Sequence, residues 1–248
     1  MDFSVVIPAR LNSQRLPGKV LLPLGDKPVI QHVWERASAS HAARVIIAVD
    51  DEKVARTVAA FGAEYCMTSS DHPSGTDRLQ EVVSQLGMAD DELVINVQGD
   101  EPLMPPAVIN QLADNIIGSG VSMATLYEPV TTIADALDPN IVKVVTDTDG
   151  RAVYFSRAPI PWSRDHFPDR LADNIQLKRH LGIYAYRVDL LNQFVQWGSC
   201  VLEETEKLEQ LRVIWHGVSI HIDEACETIP PGIDTMADLE KARQILGC

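Results

Sequence analysis

The sequence predicts an α/β fold, a mostly parallel, doubly wound sheet, and three observations carry that prediction. Short apolar runs rich in β-branched residues recur along the first 130 residues. Each run is apolar on both faces, as a central strand covered by helices on either side must be. The stretches between the runs are amphipathic and long enough to serve as crossover helices. From about Asp135 the pattern loosens, as for an inserted α+β region spanning about 135–215 inside a single domain of 1–248.

The elements follow in order. Val5–Ile7 forms the first strand, followed by a polar loop and a helix over Val29–Ala39. Arg44–Val49 is a strand before a helix over Glu52–Phe61. A short strand then leads through residues 71–78 into another helix. Leu93–Val97 is the most hydrophobic strand. It precedes a helix over Pro105–Ile117, whose paired prolines suit a first turn where missing N–H groups cost nothing. Met123–Leu126 is the next strand. Ile141–Val145 and Ala152–Phe155 flank the turn Asp147–Gly150 as in a hairpin. A polar loop bearing Pro and Trp covers Ala158–Leu177, and Gly182–Tyr186 is again strand-like. Glu203–Trp215 predicts one amphipathic helix, with Leu208 and Leu211 on its apolar side. A strand over Val218–Ile222 and a helix over Met236–Leu246 close the chain.

Composition narrows the function. Of 248 residues, 46% are hydrophobic and 23% charged, which excludes disorder, collagen and coiled coil. The 35 acidic against 21 basic side chains give a net charge of −14, which disfavours nucleic acid and anionic membranes as partners. The four cysteines form no CxxC pair, so a reducing cytoplasm is expected. No signal-peptide core opens the chain, and no apolar run approaches a membrane span.

Ligands of an open α/β sheet sit beyond the carboxyl ends of its strands. The loop after the first strand, residues 8–19, carries Arg10, Arg15 and Lys19, with Gly18 allowing close backbone approach. In so acidic a chain this cationic cluster is informative. It reads either as a solvated polar loop or as a cradle for polyphosphate. Neither GxxxxGK[ST] nor GxGxxG occurs, so P-loop and dinucleotide-binding readings lose ground. Ser74 reads as a helix N-cap. The N–H groups after it could also meet a ligand, and Gly75 and Arg78 are not what a plain cap requires. Gln98–Pro102 places Asp100 at the open end of the most hydrophobic strand, where a carboxylate suits Mg²⁺ better than stability. Asp234 is a second carboxylate at the end of the sheet, or else the N-cap of the last helix. No HExxH, GxSxG or paired Cys/His pattern supports a hydrolase or zinc enzyme.

Taken together, the segments PAR (8–10), RLPGK (15–19), DHPSGTDR (71–78), INVQGDEP (95–102), MAT (123–125), YFSRAPIPW (154–162), HLGIYAY (180–186), EKLEQLR (206–212) and IDT (233–235) resemble the 3-deoxy-manno-octulosonate cytidylyltransferase (CMP-KDO synthetase) family. They run from first strand to last helix. Two departures are visible: the loop 11–14 begins Leu11-Asn12, and the segment after Asp234 has Met236 and Ala237 where Pro and Glu are usual.

The resemblance implies a Rossmann-like nucleotidyltransferase sheet whose insertion binds sugar and mediates dimerisation. It implies transfer of CMP from CTP to an anionic keto-sugar acid, releasing pyrophosphate, with Mg²⁺ as cofactor and a homodimer as the assembly. The roles then divide by charge. Arg10, Lys19 and Asp100 are the catalytic candidates. Pro8, Ala9, Arg10, Arg15, Lys19, Ser74, Gly75, Arg78 and Gln98 are the nucleotide-binding ones. Gln98, Arg157, Arg164, His180, Tyr184, Glu209 and Gln210 are expected to bind the sugar, His180 positioning it rather than acting as base. Asp100 and Asp234 are expected to hold the metal. A sibling enzyme activating an amino-octulosonate or a sialic acid, and a catalytically silent nucleotide-binding protein, are the alternatives. Tyr154, Phe155, Trp162 and Phe167 are an expected dimer interface, or else part of the monomer's own core.

Overall fold

The computed structural model describes residues 2–13, 15–72, 74–171 and 175–248. Gln14, Pro73 and 172–174, which fall in segments singled out above, lie outside the described residues. In chain order the elements begin with β1 (Phe3–Ala9), a 3₁₀ turn (Lys19–Leu21), β2 (Pro23–Leu24), β3 (Lys27–Pro28) and α1 (Val29–Ser38). Then come β4 (Arg44–Val49), α2 (Glu52–Ala60), β5 (Glu64–Met67), α3 (Gly75–Gln85), β6 (Leu93–Asn96) and α4 (Pro106–Ser119). The second half holds β7 (Met123–Pro129), α5 (Ile133–Leu137), β8 (Lys143–Thr146), β9 (Ala152–Ser156), β10 (Lys178–Arg187) and α6 (Val188–Phe194). It closes with α7 (Val201–Glu206), α8 (Gln210–Trp215), β11 (Ile220–Glu224) and α9 (Met236–Leu246).

The main sheet runs β11-β7-β10-β6-β1-β4-β5, with β8 and β9 attached beside β10. The β1·β4, β1·β6, β4·β5 and β7·β11 pairings are parallel. β10 alone in the main path runs antiparallel, between β6 and β7. The region expected as an insertion thus supplies a central strand and is not a separate layer.

Alternation along β1 explains why its run is apolar on both faces. Val5 and Ile7 join the core under α1, α2, α4 and α9, while Val6 joins the core under α3, α6 and α8. Each helix contributes residues at three- and four-residue spacing, as α4 does with Val108, Ile109, Leu112, Ala113 and Ile116.

Two elements differ from expectation. The single helix predicted over Glu203–Trp215 is two short helices, broken at Lys207, which takes the left-handed φ of 55°. α7 starts on a capping box between Cys200 and Glu203, and Arg157 Nε donates to the Glu206 carbonyl at 2.7 Å. An orphan carbonyl at the end of α7 is therefore satisfied from outside, and the helix has no need to continue. The strand expected over Gly182–Tyr186 extends to ten residues with a register shift between Leu181 and Tyr184. The Thr125 hydroxyl holds that irregularity, lying 3.0 Å from the Leu181 carbonyl and 2.7 Å from that of Ile183. Such bulges re-aim the side chains beyond them, here Tyr184.

Among the described residues no helix is long and apolar enough to cross a membrane. Phe155 is fully buried in the main core, and Phe167 lies in a small cluster with Val130, Ala136 and Leu177. Of the four aromatics proposed for an interface, these two serve the monomer itself. Tyr154 is half-buried, whereas Trp162 is 57% exposed and stacks on Phe167.

Candidate active site

The carboxyl ends of β1 and β6 lie side by side and are held unusually close. A Cβ on Gly99 would sit 2.4 Å from the Pro8 carbonyl oxygen, so only glycine fits there. Between them opens a cleft of about 410 Å³, within the roughly 300–1,000 Å³ of small-molecule sites. Pro8, Arg10, Asn12, Ser13 and Lys19 line one side, Gln98 and Asp100 the floor, and Ser74, Gly75 and Glu209 the far side. Ala9 is fully buried in the core and supports this wall from behind.

Asp100 is fixed through its backbone, since its carbonyl accepts from the Ile233 N–H at 2.8 Å. That bond also brings Asp234 to the site. Asp234 is not the helix cap that sequence leaves open: Thr235 caps α9, in a box with Asp238. The Asp234 carboxylate is thereby free, and it lies 3.0 Å from Lys19 Nζ and 2.8 Å from the Arg15 guanidinium. Lys19 Nζ also donates to Asp100, so one ammonium bridges both carboxylates. Burial alone would lower the Lys19 pKa, but hydrogen bonding and charge from Asp100 and then Asp234 outweigh it, and the net shift is upward. Lys19 therefore stays charged at neutral pH.

Two carboxylates converging on one cation make a donor set that fits Mg²⁺, which takes one or two carboxylates and fills its remaining positions with phosphate oxygens and water. Among the described residues no group of three or more metal-ligating side chains is assembled.

An adjoining pocket of about 170 Å³ shares Gly75, Gln98 and Glu209 with the cleft. Tyr184, Tyr186, Asn96 and Gln210 complete much of its wall. Gln210 Nε2 and Asn96 Oδ1 are buried there with no hydrogen-bond partner among the described residues. Burial raises the Glu209 acid above the usual carboxylate range, although hydrogen bonds from Thr76 and Ser74 act the other way. Ser74 has one hydroxyl proton for two carboxylates, Asp77 at 2.5 Å and Glu209 at 2.8 Å. Both contacts are satisfied when Glu209 carries a proton of its own.

Several expected residues sit elsewhere. Arg78 does not reach the cleft: its side chain is 0% exposed, and its guanidinium bonds to Thr68 and, at 3.2 Å, to Asp50. Desolvation lowers its pKa, with Asp50 opposing the shift. Arg157 spends its guanidinium on backbone carbonyls, Glu206 at 2.7 Å and Pro139 at 3.0 Å, so it ties β9 to the α7–α8 junction rather than lining the pocket. Arg164 is exposed on the loop after β9. His180 stands behind the pocket wall, edge-on to Phe155 at 4.9 Å and 5.3 Å from the Tyr184 ring. Burial pushes its pKa down to about 3, so it is neutral and a poor base. Ser74 is the N-cap of α3 and also lines the cleft.

Sequence reasoning passed over Asn12, Ser13, Asn96, Tyr186 and Asp50. Asp50 had a usable signal, a carboxylate directly after a strongly apolar strand.

With this geometry in hand, comparison with known proteins assigns the class. The family model described as cytidylyltransferase matches residues 4–220, and the chain belongs to that family of nucleotidyltransferases. Among its relatives, the 3-deoxy-manno-octulosonate cytidylyltransferase of Cellvibrio japonicus is 57% identical over 99% of this chain and 98% of its own length. The enzyme of the same name from Pseudomonas fluorescens is 54% identical, again over 99% and 98%. A solved CMP:2-keto-3-deoxy-manno-octonic acid synthetase complexed with CTP superposes with a TM-score of 0.91 at 42% identity, covering 100% of this chain and 99% of that one. A Leptospira borgpetersenii cytidylyltransferase, at 15% identity and TM-score 0.62, shares the fold over 100% of this chain and 87% of its own.

Proposed function

We propose that this protein couples CTP to 3-deoxy-D-manno-octulosonate, giving CMP-KDO and pyrophosphate and so activating the sugar for lipopolysaccharide synthesis. The observation that carries the reading is the pairing of two adjoining spaces. One is the cleft lined by Arg10, Lys19 and Asp100, of which Lys19 and Asp100 also line the neighbouring space that holds Asp234, and the other is lined by buried polar groups still lacking partners among the described residues. A triphosphate suits the first and a polyhydroxylated acid the second. Gln98, common to both, lies where the two substrates would meet.

Arg10, Lys19 and Arg15 would hold the triphosphate and offset the charge on departing pyrophosphate. Gln210, Tyr184 and Glu209 would orient the sugar so that its anomeric hydroxyl lies in line with the α-phosphorus. That oxygen bonds to phosphorus as the bridging P–O bond breaks, and no covalent enzyme intermediate is needed. Asp100 and Asp234 would hold Mg²⁺, with Lys19 moving from between them to the phosphates. The metal would supply charge neutralisation and favour ionisation of the attacking hydroxyl.

A sibling enzyme for a sialic or amino-substituted acid is not favoured, because relatives above 50% identity over essentially the whole chain bear the octulosonate name. The assembly proposed is a homodimer, supported by large apolar side chains left at solvent in the 150–215 region: Val153, Trp162, Val201 and Trp215. A light-scattering mass near twice 27.3 kDa is expected, and a mass near 27.3 kDa at micromolar concentration contradicts it. A cytoplasmic location fits soluble substrates of this kind.

The test of the reaction is pyrophosphate release from CTP and Mg²⁺ with each candidate acid in parallel. Release dependent on the octulosonate is expected. No release, or faster release with a sialic acid, overturns the assignment.

A further inference from the structure

The buried pair Arg78–Asp50 has a third member. One oxygen of Asp50 meets Arg78 at 3.2 Å, and the other accepts the backbone N–H of Leu11 at 2.9 Å. Leu11 directly follows Arg10, which lines the cleft. The pair is well shielded, with the Arg78 side chain 0% and the Asp50 side chain 8% exposed. Thr68 completes it: its hydroxyl donates to the Val49 carbonyl at 3.0 Å and so presents a lone pair to Arg78. The ends of β4 and β5, the first turn of α3 and the loop after β1 thus meet at one carboxylate.

A buried ion pair between helix and strand needs no such connection to a neighbouring loop. Stability alone would be served as well by apolar side chains of similar size. What the ionic version adds is a strong acceptor aimed at one particular amide. Among the described residues the loop also closes on itself through Gly18 N to the Leu11 carbonyl at 3.0 Å and Lys19 N to the Leu16 carbonyl at 3.2 Å. Both polar groups of the Leu11 backbone are therefore occupied, one by the loop itself and one by Asp50.

We propose that Asp50, neutralised by the buried Arg78, is a positioning residue for the nucleotide: by holding the Leu11 amide it fixes the direction in which Arg10 enters the cleft. The inference rests on the reading above that Arg10 meets the triphosphate. Arg78 then acts on CTP through Asp50, Leu11 and Arg10, without touching it.

The test separates charge, acceptor and loop. Asp50→Leu/Arg78→Met removes both charges and the acceptor, whereas Asp50→Asn/Arg78→Met removes both charges and keeps an amide oxygen for Leu11. Both lose the ion pair together, so neither leaves a buried charge alone. The expected result is a KM for CTP about tenfold higher in the first variant and within about twofold of wild type in the second, with kcat moving less than KM. In an Arg10→Ala background the difference between the two should vanish. A gap that persists there, or equal KM values in the two variants, overturns the proposal. Should Arg10→Ala itself leave the KM for CTP unchanged, the reading of Arg10 fails instead, which is a distinct outcome.

A measurement on the unaltered protein covers variants that do not fold. The Leu11 amide should show hydrogen-exchange protection of at least a hundredfold without CTP, and exchange at the free-peptide rate would overturn the proposal.

Discussion

The two halves of the site solve opposite problems with the same kinds of atom. In the cleft beyond β1 and β6, charges stand close together, and each pairs with another at an exposure of 13% for Lys19, 25% for Asp100 and 39% for Asp234. Around Tyr184 and Gln210, polar atoms are buried, and two of them, Asn96 Oδ1 and Gln210 Nε2, lack a hydrogen-bond partner among the described residues. On the proposed reading, the first region would exchange one set of ion pairs for another when a charged ligand arrives. The second carries unsatisfied atoms at a standing cost of roughly 1–3 kcal/mol each, recovered only when a ligand pairs them. In the proposed reaction, charge would serve the bond-making step and burial the choice of acid.

Three substitutions sharpen that contrast. The largest effect is expected from Asp100→Asn, which keeps shape and removes a full charge from the carboxylate pair proposed to hold the metal. Turnover at saturating CTP across a Mg²⁺ titration should fall by about 10²-fold or more, on the order of 3 kcal/mol. Thermal melting should change little, because Asp100 sits at the open end of a strand. Near-wild-type turnover would remove it from the site, since Asn serves a turn equally well.

Gln210→Met should have a smaller effect of two signs. The unpartnered amide disappears, so melting temperature should hold or rise, while the KM for the sugar acid should increase about tenfold for the loss of one hydrogen bond. A lower melting temperature with unchanged KM would show that the amide is structural.

The smallest effect is expected from His180→Gln and appears only in acid. Folding depresses the His180 pKa from 6.5 to about 3, so its contribution to stability is complete above pH 6.5 and is lost as pH falls toward 3. Melting temperature measured from pH 7 to pH 4 should therefore fall less steeply in the variant than in the wild-type protein. Parallel profiles would contradict a neutral, buried imidazole.

Much of the charged wall was legible in the sequence, and the reason is physical. Arg10, Lys19 and Asp100 follow strongly apolar strands, and the end of a parallel strand can lead only to the open edge of the sheet. The helices with regular apolar spacing were legible for a like reason, their buried faces being written in the chain. Residues whose role depends on a distant partner were not. Arg78 looks in sequence like any arginine in the first turn of a helix, and only the fold shows Asp50 and Thr68 enclosing it. The break at Lys207 is hidden in the same way, because the donor that ends α7 comes from Arg157, some 50 residues earlier. His180 was read as meeting the sugar, but the bulge in β10 presents Tyr184 to the pocket and sets the imidazole behind it.

The division of labour between the two regions is tested most directly by one titration. Initial rates would be followed against 3-deoxy-D-manno-octulosonate at saturating CTP and Mg²⁺ in the wild-type, Asp100→Asn and Gln210→Met proteins. The expected result is that Asp100→Asn lowers kcat by about 10²-fold with the sugar KM within about twofold, whereas Gln210→Met raises that KM about tenfold with kcat within about twofold. Both substitutions moving the same parameter by similar factors would contradict it, because charge and burial would then be acting on the same step.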